Sequence, residues 1–569
     1  MSEPGDRGRV DRDLHPSVAD RLARLAPDQR AAATAGEGPL LVVAPAGSGK
    51  TTTLVARVAW LVDRGAPPST VTVVAFNKRA ADELAERLDA ALAPQGLGPG
   101  LVRVRTFHAL GREILGEAGV DVAGLVDRDT VLRTLFPQAT RADRGRLDLA
   151  FSRLKLDLRV RPEAVAADPA AGPVARAWVA YEQSLLDDRA LDFDDLLVRA
   201  LEALETDNEL LERWRARCRR LLVDEAQDLD RTQLDLGLLL AEPGRNVTAV
   251  GDDDQTIYSW RLADVRRVLG LASALPGLRR IDLETNYRCP PPVVARAVRL
   301  VEHNRERFAK RIRAGSRDGG RLVLAPDAAD DVVRVRRAMA AWPADGSSRA
   351  VLARTNRELL VAVVAALELG LPFRAPDLGL IIEDPRLDGL LDRAMASPAG
   401  RSAGPSGTPV PPLVALGTLR ASLLAEGAAG EHADDPDETS PADLVTALLA
   451  WAPSCRSLGS LRDAVLERRR RLAGLRRDDA ALTLATAHGT KGLEWDHVLV
   501  LADGFPGRRS VTDAAEPERA FEEERRLAYV AWTRARRSLT LLYDPSAPSP
   551  FLAEAFDPSE LGTSPAGSR

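Results

Sequence analysis

Short apolar runs alternate along the chain with stretches whose apolar positions recur every three to four residues. Leu40-Leu41-Val42-Val43-Ala44 reads as a buried strand, and a Gly-rich turn follows it. Residues 52–62 then have helical spacing. Val71-Thr72-Val73-Val74-Ala75-Phe76 is the next strand, followed by an Ala/Glu/Arg helix over 79–92. Strand, helix, strand, helix predicts parallel βαβ units and a doubly wound sheet. Further buried strands read at 220–223, 247–250 and 280–283.

Residues 111–200 have helical periodicity and no clear strand, so they read as a helical insertion. A second α/β block starts near Ala350 and resumes at Leu482-Thr483-Leu484-Ala485, Val498-Leu499-Val500-Leu501 and Leu539-Thr540-Leu541-Leu542. It is interrupted by a modest helical stretch between a Pro/Gly/Ser-rich segment, 397–412, and an acidic, small-residue segment, 426–441. Both segments read as linkers. The expected organisation follows. Residues 1–24 form a loose tail. The first core domain is 25–110 with 201–284, interrupted by 111–200. The second is 285–382 with 480–545, interrupted by 383–479. Residues 546–569 form a second tail.

At 569 residues, 45% hydrophobic and 28% charged, the chain has the make-up of a multidomain globular protein. It shows no apolar run of membrane-spanning length and no signal-peptide core at the N-terminus, so a cytoplasmic location without membrane partners is expected. Three widely spaced cysteines, Cys218, Cys289 and Cys455, exclude a disulfide scaffold and a cysteine-rich metal site. Net charge is −5, which averages over any basic patch and so does not exclude nucleic acid. Of 78 basic residues only five are Lys: Lys50, Lys78, Lys155, Lys310 and Lys491. Where Arg otherwise serves, the surviving Lys mark candidate positions for a compact ammonium. Lys155 is read as a chance surface survivor.

Ala44-Pro45-Ala46-Gly47-Ser48-Gly49-Lys50-Thr51 sits between a predicted strand and a predicted helix. Backbone N–H groups in such a loop cradle phosphates at a helix N-terminus whose dipole favours anions. Lys50 would reach the β and γ phosphates, and Thr51 would offer a hydroxyl to Mg²⁺. Leu221-Leu222-Val223-Asp224-Glu225 is a strand ending in two carboxylates. At that end they reach the same crevice, Asp224 for Mg²⁺ and Glu225 to polarise the attacking water. Together these motifs specify an NTPase.

Many further motifs occur in order: Leu25-Ala26-Pro27-Asp28-Gln29, Ala75-Phe76-Asn77-Lys78, Thr106-Phe107-His108, Leu191-Asp192-Phe193-Asp194-Asp195-Leu196-Leu197 and Asp224-Glu225-Ala226-Gln227-Asp228. Gly251-Asp252-Asp253-Asp254-Gln255-Thr256-Ile257-Tyr258-Ser259-Trp260-Arg261, Asn286-Tyr287-Arg288, His488-Gly489-Thr490-Lys491-Gly492-Leu493-Glu494 and Glu524-Arg525-Arg526-Leu527-Ala528-Tyr529-Val530-Ala531-Trp532-Thr533-Arg534-Ala535 complete the set. With these, the chain from about Leu25 to Tyr543 resembles the UvrD/Rep-like family of superfamily 1 DNA helicases.

The resemblance implies two RecA-like core domains and an ATP-driven motor moving 3′→5′ on single-stranded DNA, in repair or replication restart. ATP and Mg²⁺ are the implied cofactors. Single-stranded and 3′-tailed duplex DNA are the implied partners, with repair or replication proteins besides. It also implies site roles. Ala46, Gly47, Ser48, Gly49, Lys50, Thr51 and Thr52 hold the phosphates, with Thr51 and Asp224 on the metal. Gln29 reads the adenine edge, Tyr287 stacks on the base and Glu494 binds the ribose. Gln255 couples the γ-phosphate to the DNA site. Arg288 and Arg534 are arginine fingers from the second core. Phe76, Tyr258 and Trp260 offer faces for bases and Arg261 a cation. Asn77, Thr106, His108 and His488 also lie along the DNA track.

Pro45, Ala226, Cys289 and Gly489-Thr490 depart from the family pattern without removing a charged group of the site. The second insertion is shorter than usual, and little sequence follows Tyr543 for a partner-binding tail. Two other functions stay open: a DNA-stimulated ATPase that switches or displaces a partner with little unwinding, and the motor subunit of a helicase–nuclease complex.

Overall fold

The computed structural model describes residues 14–315, 319–398, 412–429, 440–507 and 516–561. Two six-stranded, all-parallel sheets dominate it. The first contains β1 (Leu40–Val43), β2 (Val71–Ala75), β3 (Arg103–Thr106), β4 (Arg220–Val223), β5 (Val247–Gly251) and β6 (Arg279–Asp282), in spatial order β3-β2-β4-β5-β1-β6. A two-stranded ribbon, β7 (Thr285–Asn286) with β8 (Arg313–Ala314), lies beside the crossover between the sheets. The second sheet contains β9 (Arg321–Pro326), β10 (Arg349–Ala353), β11 (Phe373–Arg374), β12 (Leu482–Thr486), β13 (Trp495–Leu501) and β14 (Ala535–Tyr543), in order β11-β12-β10-β13-β14-β9. Helices cover both faces, so β1, β2 and β5 are buried along their whole length. That explains why they read as continuous apolar runs and not as alternating ones. This is the doubly wound α/β architecture expected, and it places the phosphate loop, Asp224-Glu225 and Gly251-Asp252 at the C-terminal ends of three adjacent strands.

Both expected tails are folded where they are described. Pro16–Ala23 is a helix whose Val18 and Leu22, four residues apart, are buried in the first core. Pro550–Ala555 is a helix that buries Phe551, Leu552 and Ala555, with Phe556 against Trp532. A charged composition hid the first pair and shortness hid the second. Residues 1–13 and 562–569 lie outside the described residues.

The first helical insertion shares its end helices with the first core. The helices Phe107–Glu117 and Asp195–Thr206 pack into the first core through Leu110, Ile114, Leu196 and Leu197. The insertion between them has its own small core around Leu132, Phe151, Trp178 and Tyr181. In the second insertion the helices Arg386–Ala396, Pro412–Ala429, Pro441–Trp451 and Leu458–Leu475 share a core around Leu391, Leu416, Val445 and Leu461. The two expected linkers therefore shrink at their edges, since residues 412, 426–429 and 441 are helical. Their centres, 399–411 and 430–439, lie outside the described residues.

Lys155 is not a surface residue. Its ammonium is buried in the first insertion, 2.8 Å from Glu182, 2.9 Å from Asp192 and 3.1 Å from Asp195. Arg128 joins the same cluster through Asp192 and Asp194, each at 2.6 Å. The carboxylates of the Asp192-Phe193-Asp194-Asp195 motif thus anchor the insertion.

Candidate functional site

The helix Lys50–Asp63 starts immediately after the Gly-rich turn, so its unpaired N-terminal N–H groups face the crevice. Gly49 caps it at φ +82°, a left-handed conformation that suits glycine. Gly47, at φ +69°, lies under the second core: a Cβ there would stand 2.7 Å from both Arg288 Cβ and Asn286 Oδ1. The backbone N–H of Tyr287 donates to the Gly47 carbonyl at 2.9 Å. The Asn286-Tyr287-Arg288 segment is thereby seated directly on the phosphate loop. Ser48 Oγ is buried there without a hydrogen-bond partner, as a cradle built for an outside acceptor requires.

The Lys50 ammonium lies 3.2 Å from both carboxylate oxygens of Glu225. Glu225 itself takes a left-handed backbone, φ +52°, which costs a non-glycine residue about 1–3 kcal/mol and is characteristic of functional sites. Burial opposes its charge, yet Lys50 and Lys491 hold its carboxyl down at about 2. Asp224 behaves oppositely: burial and then the neighbouring charge of Glu225 push it up to about 7. The pair holds one settled carboxylate and one that a cation would ionise. Among the described residues no three His, Cys, Asp or Glu converge as a closed metal cage. The hydroxyl of Thr51 and the carboxylate of Asp224 are oxygen donors of the kind Mg²⁺ takes together with substrate phosphates.

Second-core side chains complete the crevice. The guanidinium of Arg534 is buried. It donates to the Val530 carbonyl (2.8 Å), the Leu493 carbonyl (3.3 Å) and Oε1 of Gln255 (3.2 Å). Burial, and then the charge of Arg288, pull it down to about 9. Arg288 forms an ion pair with Glu494 and donates to the Thr533 carbonyl at 3.2 Å. Tyr287 is 40% exposed beside the loop. Gln29 is buried, with Nε2 donating to the Ser48 carbonyl at 2.7 Å and Oε1 accepting from Ala26 N at 3.1 Å. Thr52, on the first turn of the helix, is exposed.

The residues expected along a nucleic-acid track lie together in part. Phe76 and Tyr258 stack at 5.1 Å, and Trp260 meets Tyr258 edge-on at 6.0 Å. The Arg261 guanidinium lies over the Trp260 ring at 4.8 Å. Trp260 is 51% exposed and Phe76 half-buried. Two expected polar contacts have local roles: Asn77 accepts from Ala80 N (2.8 Å) and Thr106 from Ala109 N (3.2 Å), each capping a helix. Burial takes His108 down to about 4 against the pull of Asp194, and burial with Arg354 takes His488 to about 4. His108 stacks on the exposed ring of Phe193 at 3.9 Å. Sequence reasoning gave Lys491 no role. It pairs with Asp228, donates to the Gln255 carbonyl at 3.0 Å and lies 5.2 Å from the Tyr258 ring, between the two halves of the site. Its survival among five lysines was the available signal.

A phosphate loop and a paired carboxylate at the ends of parallel strands, with guanidinium groups arriving from a second sheet, define a P-loop NTPase of two RecA-like domains. Residues 25–276 match the UvrD/REP helicase N-terminal domain and residues 461–546 the UvrD-like helicase C-terminal domain. The chain is 33% identical to the ATP-dependent DNA helicase UvrD2 of Mycobacterium tuberculosis, over 91% of its own length and 78% of that protein. It is 29% identical to the ATP-dependent DNA helicase PcrA of Staphylococcus epidermidis, over 61% of this chain and 50% of that one. The chain belongs to the UvrD/Rep helicase family. No helix among the described residues is long and apolar enough to cross a membrane.

Proposed function

We propose that this chain is an ATP-dependent DNA helicase that moves 3′→5′ on single-stranded DNA in the cytoplasm and serves repair or replication restart. One observation carries the coupling. Gln255 touches Arg534 of the second core, and Trp260, five residues later, presents an exposed ring. A change in how the cores close on the nucleotide therefore reaches the aromatic track through one short segment. The direction rests on family membership.

In this reading the loop 46–52 binds the ATP phosphates, Lys50 among them, and Tyr287 stacks on the base. Gln29 borders the adenine, and Glu494 the ribose. Thr51 and Asp224 hold Mg²⁺, which when bound neutralises charge on the phosphate oxygens. Glu225 orients and deprotonates the attacking water. On nucleotide entry Lys50 exchanges Glu225 for phosphate, which frees that carboxylate for the water. Arg288 and Arg534 meet the charge that develops on the transferred phosphoryl group. Phe76, Tyr258, Trp260 and Arg261 carry the strand, with Asn77, Thr106, His108 and His488 alongside it.

Strand displacement on a 3′-tailed duplex, with ATP and no other protein, tests the whole reading. Displacement on 3′ tails and none on 5′ tails is expected. DNA-stimulated ATP hydrolysis without displacement would favour the switch reading, or a motor subunit that needs its complex.

A further inference from the structure

We propose that Lys310 is a positioning residue for nucleotide hydrolysis, setting the Asp252 carboxylate that orients the carboxamide of Gln255. The proposal rests on the reading of Gln255 as the γ-phosphate contact.

The Lys310 side chain is fully buried and its ammonium meets three carboxylates: Asp252 Oδ1 at 2.8 Å, Asp253 Oδ1 at 2.5 Å and Asp254 Oδ2 at 2.8 Å. Two of these contacts, to Asp252 and Asp253, are hydrogen bonds and the third, to Asp254, is an ion pair; three carboxylates gathered around one point suit a compact ammonium better than a planar guanidinium fork. In a chain that uses Arg at 73 basic positions and Lys at five, that match explains why Lys stands here. Arg307 forms a bidentate pair with Asp254, at 3.0 and 2.9 Å, and the Phe308 N–H donates to Asp253 at 2.8 Å. Three carboxylates and two cations leave the cluster a net charge of −1.

The cluster leads straight to the nucleotide crevice. The other oxygen of Asp252, Oδ2, accepts from Gln255 Nε2 at 2.6 Å, while Gln255 Oε1 accepts from Arg534 Nη2 at 3.2 Å. The carboxamide is held at both ends, which fixes which end carries oxygen and which carries N–H. Both holds trace back to the second core. Arg534 lies two residues past the end of the helix Pro517–Trp532, after its C-cap Thr533. The segment bearing Lys310 is tied to that same helix: Asn304 Nδ2 donates to the Glu522 carbonyl (3.2 Å), and Arg526 donates to the Glu306 carbonyl (2.7 Å). A shift of this helix would act on Gln255 from two sides. Without Lys310, Asp252 Oδ1 keeps only the Asp254 N–H at 3.2 Å, and the hold of Asp252 on Gln255 weakens.

Removing the ammonium alone would bury three carboxylates against one cation, so the test uses K310M/D253N, which keeps the net charge at −1, against D253N. K310R is a second variant that keeps the positive charge. Each is assayed for kcat and KM of ATP hydrolysis on saturating single-stranded DNA, alone and combined with Q255A, with Tm as the check on folding. We expect kcat of K310M/D253N to fall roughly 10- to 100-fold below D253N, the scale of a misplaced catalytic group, with the KM for ATP within about threefold. K310R should fold and lose kcat as well. Adding Q255A should bring no further loss, because both changes break one unit. A kcat matching D253N, or losses that multiply with those of Q255A, would overturn the proposal. Normal kcat in Q255A alone would instead sink the reading of Gln255, and so separates the two failures.

Discussion

Arg534 Nη2 and Gln255 Oε1 meet at 3.2 Å although they lie 279 residues apart in the chain. Each belongs to a different parallel sheet, and each sits one short step from a strand: Gln255 after β5, Arg534 before β14. The contact makes the nucleotide crevice a property of two domains and ties its geometry to their closure. Neither domain alone could hold Gln255 as observed.

If that geometry completes the site, Arg288→Ala and Arg534→Ala should each slow hydrolysis while nucleotide binding falls modestly. Arginine fingers contribute about 10³–10⁵ in rate, and two sharing the charge should each show the low end of that range. Arg534→Ala should cost more, since Arg534 holds Gln255 while Arg288 is paired with Glu494. Single-turnover hydrolysis on saturating DNA checks this. Unmodified rates in both variants would mean that the second core does not complete the site.

Lys50→Ala should abolish hydrolysis in a protein that still folds, because the loop is held by Gln29 and Tyr287 independently of the ammonium. Glu225→Gln should bind ATP and hydrolyse it about 10²–10⁴-fold more slowly, since only proton abstraction is lost. Fluorescent-nucleotide binding beside turnover distinguishes the two. A Glu225→Gln protein that binds no nucleotide would remove the general-base role.

The buried strands and the phosphate loop were legible because each is a contiguous signal: an apolar run, or Gly-Lys-Thr at a strand–helix junction. The strands β3, β9 and β11 were not. β3 and β11 are sheet edges and β9 is another, where half-exposed residues such as Arg103 and Arg105, either side of buried Val104, break the apolar run. The charge clusters were hidden for a different reason. Lys155 finds Asp192 across 37 residues and Lys310 finds Asp252 across 58, and nothing local in either sequence announces its partner. Lysine scarcity pointed at both positions without saying what they held.

Lys155→Met should therefore act on stability. It would leave Asp192 and Asp195 buried and Glu182 half-buried, with Arg128 and Arg199 as the nearby cations of the cluster. Breaking a buried charge cluster from one side costs about 3–5 kcal/mol. Urea unfolding followed by signals from each domain should show the first insertion loosening first. A loss below about 0.5 kcal/mol, the scale of a surface substitution, would mean the cluster is not structural.

The two half-buried histidines predict a pH signature. His108 and His488 titrate near 4 in the folded chain, below the ordinary 6.5 of an unfolded histidine. The unfolded state therefore binds more protons between about 6.5 and 4, and stability should fall as pH drops through that window. Replacing both with Gln should flatten the stability–pH curve there. An unchanged slope would show that neither ring is buried neutral.

Trp260→Ala should damage the DNA side and leave the fold intact. The ring is half in solvent, touches Tyr258 only edge-on and is covered on one face by Arg261. Base–aromatic stacking is worth about 1–3 kcal/mol per base, a loss of roughly 5- to 150-fold in affinity. Basal hydrolysis and nucleotide binding should persist, and DNA stimulation should need correspondingly more DNA. Phe76→Ala makes the contrast. Phe76 is half-buried at the end of β2, stacked on Tyr258 and near the Lys491 ammonium, so its loss should lower Tm as well as DNA affinity. Tm and single-strand affinity measured on both proteins separate a stacking platform from a packing residue. If Trp260→Ala melts early yet binds DNA as tightly as the parent, the ring is a packing residue and the strand runs elsewhere.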